Sequence, residues 1–211
     1  MGKIQDWFPP LAGILFVALY VTVFVLIGEG QDATEKSTQE IVDHYQDNET
    51  KEFLAAVAMG LAATFLLYFA GWLRRTLRDA EGADGILSAV AFGAAVVFSA
   101  GAAIAGSVHI ALADLADDID PVALQAINGI DYSMFMFFPV GLGTMAIASG
   151  ISAVRHGVLP KWLGWVGIVG GLLFFSPGFF VALGLVPLWI LIVSIIGIRR
   201  SGQGTAAPAS V

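Results

Sequence analysis

Histidine carries the most recognisable chemistry in this chain, which has three histidines and no cysteine. An imidazole can bind a metal or haem iron, or relay a proton near neutral pH. His109 lies near one end of a long apolar stretch, beside Ser107 and ahead of Asp114. It is therefore a candidate cofactor, metal or proton site. The alternative is a neutral histidine bonded to a backbone carbonyl or to a neighbouring helix.

A second candidate site is the trio Glu40, His44 and Asp47. Its spacing of i, i+4 and i+7 would put all three side chains on one helix face, where they could bind a divalent cation. His109 could join them if it lies on the same side of the membrane. The alternative is a solvated face in an acidic loop. No P-loop, GxSxG or HExxH motif occurs, so the sequence favours a non-enzyme and predicts no cofactor.

The elements that must position these residues are membrane spans. The 211 residues are 57% apolar and 13% charged, whereas soluble domains have about 25% charged residues. Apolar runs of about 20 residues are typical of transmembrane helices. We predict an all-α polytopic domain over residues 1–198 and a disordered cytoplasmic tail at 199–211. The first span is expected to be a retained anchor. The six predicted spans are 11–28, 53–73, 86–113, 132–154, 162–175 and 179–198.

The first acidic loop, residues 30–52, is expected to hold a short surface helix. Ser37-x-x-Glu40 has the pattern of a capping box, in which each residue's side chain bonds the other's backbone N–H. The pattern predicts a helix over about 38–46. This helix is expected to lie on the membrane surface, separate from the second span.

The second acidic loop, residues 114–131, is expected to hold another short helix. Asp120-Pro121 is a typical start, with an N-cap followed by proline at the first helical position. Gly129 would end this helix, and Asp131 would then cap the fourth span. Pro139 predicts a kink within that span.

Charge is distributed asymmetrically across the predicted spans. Eight of the ten basic residues fall on one side, and 13 of the 17 acidic residues fall on the other. The positive-inside rule puts both termini in the cytoplasm and both acidic loops outside the plasma membrane. All charged residues fit in loops or at span ends, which disfavours ion pumping, and no mid-span lysine is present to hold retinal.

Small residues recur four positions apart within several spans. This spacing lets helix backbones approach closely in a bilayer. The prediction is packing inside the bundle. The alternative is an assembly surface for another subunit, with Gly167 and Gly171 as its first candidates. The glycines concerned are Gly60, Gly106, Gly150, Gly167 and Gly171.

Aromatic residues cluster at the acidic side of the spans and predict an apolar ligand pocket there. The alternative is a set of lipid-facing aromatic side chains. Trp189 falls near mid-membrane, where its N–H needs a partner, and the predicted partners are Tyr20, Thr22, Thr64 or Tyr68. The predicted pocket residues are Phe135, Phe138, Phe174, Phe175, Phe179 and Trp189.

The turn between the fourth and fifth spans reads ASGISAVRHGVLPKWLGWVG. It resembles the R-x-G-x-L-P-[RK]-W-L-G-W signature of a domain-of-unknown-function family of bacterial six-span membrane proteins. The acidic loop with Asp120-Pro121, followed by Asp131-Tyr132, is similar as well. The resemblance implies a fold and a topology, and it implies no activity or catalytic residue.

The sequence therefore predicts an integral membrane protein without a catalytic site. It would bind a lipid, an apolar small molecule or a partner membrane protein. One alternative is a small transporter or channel for a neutral or cationic solute. The other is a metal- or haem-binding protein using the outer histidines. Expected partners are membrane lipids and either a second copy of the chain or another membrane protein, with no nucleic acid.

Overall fold

The computed structural model describes residues 2–27, 36–82 and 84–203. Within these ranges it has seven α-helices and no strand, and a 3-10 turn (Met134–Met136) and a π-helical segment (Phe138–Gly143) join α4 to α5. Residues 204–211 of the predicted tail lie outside the described residues. The helices are α1 Gly2–Ile27, α2 Thr38–Glu81, α3 Ile86–Leu115, α4 Pro121–Ser133, α5 Thr144–His156, α6 Lys161–Leu173 and α7 Phe179–Gln203.

Five helical segments are long and apolar enough to cross a membrane, which confirms the polytopic all-α class. The sixth apolar helix, α6, has 13 residues. At 1.5 Å per residue it spans about 20 Å, less than a hydrocarbon core of about 30 Å. The five segments are Trp7–Ile27, Thr38–Glu81, Ile86–Leu115, Pro121–His156 and Phe179–Ser201.

The five candidate spans and the shorter helix α6 form a closed ring. α1 packs against α2 and α7, α2 against α3, α3 against α5, α5 against α6, and α6 against α7, while α4 lies on α2 and α3. We call the end with Arg74, Arg155 and Arg199 the arginine-rich end, and the opposite end, with α4 and the first turns of α2, the acidic end. The buried core between the helices includes Phe16 and Trp189.

α2 is one continuous helix of 44 residues, whereas the sequence led us to expect a separate surface helix over 38–46. No glycine or proline interrupts residues 38–59, and Ile41 and Tyr45 are buried against Leu112 of α3 and Leu124 of α4. Burial along this extension holds it in line with the span. The predicted capping box at its start, Ser37, is confirmed.

α4 also continues further than expected. Its predicted start at Asp120 is confirmed, since the Asp120 side chain accepts a hydrogen bond from the N–H of Val122. The helix then runs through Gly129 and Asp131, so Asp131 is not a cap, because the helical path continues to His156. Pro139 lies in the π-helical segment, whose wider turn accommodates a residue without an N–H.

α5 and α6 approach each other through glycines. A Cβ on Gly150 would lie 2.5 Å from the carbonyl oxygen of Gly164, and a Cβ on Gly171 would clash with the carbonyl of Gly143. A Cβ on Gly167 would lie 3.0 Å from Nε1 of Trp189. Gly167 and Gly171 are therefore packed inside the bundle, so they do not form an exposed assembly surface.

The other two predicted packing glycines differ from each other. Gly106 faces α2, where an added Cβ would lie 3.2 Å from the carbonyl oxygen of Ala56. Gly60 is exposed and has no atom within 4 Å of an added Cβ. Gly60 therefore lies on the outer surface of the ring and takes no part in helix packing.

Gly150→Ala is expected to lower the free energy of unfolding by about 1–3 kcal/mol, because the methyl group must push α5 away from α6. Gly60→Ala is the matched control, and it should be neutral or stabilising by up to about 1 kcal/mol, since alanine is the better helix former. Denaturant unfolding in detergent measures both. Equal midpoints would contradict the close approach of these helices.

Candidate functional site

A buried carboxylate, Glu52, lies at the centre of the polar cluster at the acidic end. Its side chain is 2% exposed and contacts two histidines. Oε1 lies 3.0 Å from Nε2 of His44, and Oε2 lies 2.7 Å from Nδ1 of His109. Because a buried charge is stable only when it is paired and hydrogen-bonded, these two contacts account for the burial of Glu52.

His109 links this carboxylate to a second one. Its Nε2 lies 3.3 Å from Oδ2 of Asp131 in α4, so both ring nitrogens face carboxylate oxygens. An ionised carboxylate only accepts hydrogen bonds, and a neutral imidazole has one N–H. The Glu52 contact is a hydrogen bond and the Asp131 contact is an ion-pair distance, so the two carboxylates around His109 can hold one proton beyond the neutral imidazole, either on His109 or on one of the carboxyl groups.

Three helices bring these side chains together. His44 and Glu52 lie about two turns apart on α2, His109 is near the end of α3, and Asp131 is in the last turn of α4. A buried hydrogen bond from the Tyr45 hydroxyl to Oδ1 of Asn128 ties α4 to α2 beside the cluster. The cluster borders a space of about 70 Å³, which is large enough for water molecules.

A larger cavity of about 270 Å³ begins at the same cluster and runs toward mid-membrane. It fills the gap between α1 and the segment 131–138, since α4 packs on α2 and α3 and not extensively on α1. Among the described lining residues, those that could hydrogen-bond an occupant through their side chains are Tyr20, His109, Asp131 and Tyr132. The remaining lining is apolar: Phe16, Val23, Phe24, Ile27, Met59, Ala62, Phe98, Ala102, Ala105, Met134, Phe135, Phe137 and Phe138.

Residues 11–199 match the domain of unknown function DUF4386. This match covers most of the chain. The protein belongs to the DUF4386 family. All four residues of the polar cluster (His44, Glu52, His109 and Asp131) and all the residues that line the cavity fall inside the matched range. Neither a curated protein nor a solved structure matches the chain.

The cavity of this DUF4386 domain includes part of the predicted aromatic pocket. Phe135 and Phe138 line it. Phe174 and Phe179 do not, although both of their rings pack against that of Phe138. Phe175 does not line it either and is 56% exposed.

Trp189 was expected to mark a polar spot or small pocket, but it lies in the packed core at 1% exposure. Its indole N–H donates to the carbonyl oxygen of Leu163 at 2.9 Å, so none of the four predicted partners is used. Tyr20, one of those four, instead donates its hydroxyl hydrogen to the carbonyl oxygen of Leu183. The prediction considered only side-chain partners, whereas Trp189 and Tyr20 both donate to backbone carbonyls.

The predicted metal-binding set is not brought together in this DUF4386 domain. Glu40 is exposed and caps α2 through Ser37, and Asp47 is exposed. His44 and His109 do converge, but on Glu52. Across the described ranges, no three His, Asp or Glu side chains have a geometry that could hold a metal ion. His156 is in the last turn of α5 at the arginine-rich end, far along the chain from this cluster.

Sequence reasoning missed Glu52, Asn128 and Asp131. Glu52 was assigned to the edge of a loop because the second span was predicted to start at residue 53, and Asp131 was assigned to a helix cap. The available signal was the uninterrupted helix-forming sequence of 38–59, which would have placed His44 and Glu52 on one helix. The tertiary contacts with α3 and α4 leave no signal in a single sequence.

Glu52→Gln is expected to lower the free energy of unfolding by about 3–5 kcal/mol, because it removes one partner of a buried charged cluster. Glu49→Gln is the matched control: the same substitution, one turn earlier on α2, at an exposed position. It should change stability by less than about 0.5 kcal/mol. If thermal unfolding in detergent gives equal midpoints for both variants, Glu52 does not stabilise the acidic end.

Proposed function

We propose that this protein binds a small, largely apolar molecule that enters from the membrane, and that it does so without catalysing a reaction. The observation that carries this proposal is the cavity of about 270 Å³, which has aromatic and aliphatic walls and a few polar groups at one end. Sites for small molecules typically combine an apolar wall with a few placed polar groups that orient the ligand.

The rim of the cavity supports entry from the lipid phase. Phe24 of α1 and Phe135 line the cavity and are 45% and 50% exposed, and Tyr132 at its polar end is 51% exposed. The cavity therefore reaches the outer surface of the ring between α1 and the segment 131–138. A molecule dissolved in the bilayer could enter there without crossing the helices.

The packing below the cavity favours binding over transport. Toward the arginine-rich end the cavity stops at Phe16 and Phe98, which are buried and have ring centroids 5.9 Å apart. Beyond them lie Leu66, Phe69 and Trp189, each 1% exposed or less. A solute could pass only if these side chains moved apart, so the arrangement resembles a closed-ended pocket more than a channel.

We also infer that the protein lies in the plasma membrane with the arginine-rich end in the cytoplasm. Arg74, Arg75 and Arg78 end α2 at that side, and Arg155 and Arg199 lie at the same level. The acidic residues concentrate at the other end. This asymmetry is the one that the positive-inside rule describes, and it would make the polar end of the cavity extracytoplasmic.

Ala102→Phe is expected to abolish occupancy of the cavity, because the added ring extends into it from α3. Ala103→Phe is the matched control, since it makes the same change at the next residue, which is exposed. The measurement is labelling by a diazirine-bearing decanol in nanodiscs, with the labelled peptides mapped by mass spectrometry. We expect the parent and Ala103→Phe to label on Phe24, Ala105 or Phe135, and Ala102→Phe to lose that label.

The unfolding midpoint of Ala102→Phe shows whether the loss of label reflects a filled cavity, because a filled cavity leaves the midpoint near that of the parent. If Ala102→Phe unfolds early, Ala105→Leu provides a smaller change in the same wall. Equal labelling of parent, cavity variant and control would contradict the proposal.

The orientation can be tested with single cysteines, because the chain has none of its own. A membrane-impermeant maleimide applied to intact cells should label Gln39→Cys at the acidic end. It should label Arg75→Cys only after permeabilisation, because that position faces the cytoplasm in the proposed orientation. Both residues are exposed in the structure, and the reverse pattern would overturn the proposed orientation.

A further inference from the structure

We propose that the ligand carries a cationic amine head, which pairs with Asp131 and displaces a proton held by the cluster of His44, Glu52, His109 and Asp131. This inference rests on the proposed binding function and specifies the chemistry of the ligand. The protein would then bind lipophilic amines in exchange for a proton.

The charges along the cavity wall select a cation. Among the described residues that line the cavity, Asp131 is the one acidic residue and none is a lysine or an arginine. A carboxylate at the end of an apolar cavity attracts an ammonium group more strongly than a carboxylate in bulk water does, since the apolar walls lower the local dielectric constant. A fatty acid would place a second carboxylate against the first, and an alcohol would offer a neutral hydrogen bond alone.

The proton to be displaced follows from the contacts of His109. Its two nitrogens face Glu52 Oε2 at 2.7 Å and Asp131 Oδ2 at 3.3 Å. A protonated His109 would donate to Glu52, pair electrostatically with Asp131 and offset one of the two carboxylate charges. An ammonium group beside Asp131 would supply that positive charge instead, so His109 would return to its neutral form. One cation enters and one proton leaves, which keeps the charge of the cluster unchanged.

Groups on each neighbouring element define the surroundings of His109. α2 presents Glu52, with His44 behind it and Tyr45 beside it, and α4 presents Asp131 and Tyr132. Among the described residues of α1, Ile27 borders the same space. The side chain of His44 is 20% exposed, so the hydrogen-bonded series from His109 through Glu52 to His44 joins the cavity to water.

The test compares decylamine, decanol and decanoate as competitors of the diazirine-bearing decanol, in nanodiscs of zwitterionic lipid. The three molecules share one chain length and differ in head group. With the parent protein, decylamine should displace the label at about tenfold lower concentration than decanol, because a charge-assisted hydrogen bond is stronger than a neutral one. Decanoate should be the weakest competitor.

Asp131→Asn should remove the preference of the cavity for decylamine over decanol. Asp114→Asn is the matched control, an exposed acid at the same end of the bundle, and it should keep the preference. Each competitor partitions into the bilayer to the same extent for every variant, because all variants are compared in the same lipid. Partitioning therefore does not affect the comparison between variants. Asp131→Glu, which retains a carboxylate, should restore the preference at least in part.

Proton exchange is tested on the parent protein by varying pH. The apparent affinity for decylamine should rise by up to about tenfold per pH unit while the cluster holds its proton and the amine stays cationic, because binding then releases one proton. The affinity for decanol should not change with pH. These measurements need no variant, so they hold even if Asp131→Asn fails to fold.

The outcomes separate the two proposals. If none of the three competitors displaces the label and Ala102→Phe does not reduce it, the proposed binding function fails. If decanol and decylamine compete equally, with no effect of Asp131→Asn or of pH, the cavity binds apolar molecules and the inference of amine selectivity and proton exchange is overturned. An amine preference without pH dependence would overturn the exchange.

Discussion

The acidic end of this protein depends on one buried charge. A carboxylate with 2% exposure requires partners from neighbouring elements, because removing it from water costs far more than any single contact returns. Glu52 obtains them from its own helix through His44 and from α3 through His109. Each partner sets a structural requirement: α2 must stay helical from His44 to Glu52, and α3 must extend as far as His109.

Asp131 extends the same requirement to α4. Its contact with His109 and the Tyr45–Asn128 hydrogen bond hold α4 against α2 and α3. α4 thereby stays close to these two helices and apart from α1, and the aromatic cavity occupies the space between. The polar cluster and the cavity are thus two results of one packing arrangement, which explains why His109, Asp131 and Tyr132 border both the small and the large space.

Much of the fold could be predicted from the sequence, because it depends on local patterns. Apolar runs indicated the spans, and Ser37 and Asp120 indicated helix starts. The candidate site was harder to predict from the sequence. His109 was identified from its chemistry alone. Glu52 and Asp131 became candidates only through their contacts with His109, from which they lie 57 and 22 positions away along the chain. Single-sequence patterns report such distant pairings poorly, and they cannot reveal that Trp189 bonds a backbone carbonyl of α6.

The length of α2 has a mechanical consequence. Its 44 residues form a rod about 66 Å long at 1.5 Å per residue, roughly twice the thickness of a hydrocarbon core. The rod therefore projects beyond the core, with Glu52 about a third of the way along from Thr38 and Arg74, Arg75 and Arg78 near its other end. Because the helix is unbroken, it rigidly links the polar cluster toward one membrane surface to the arginines at the other.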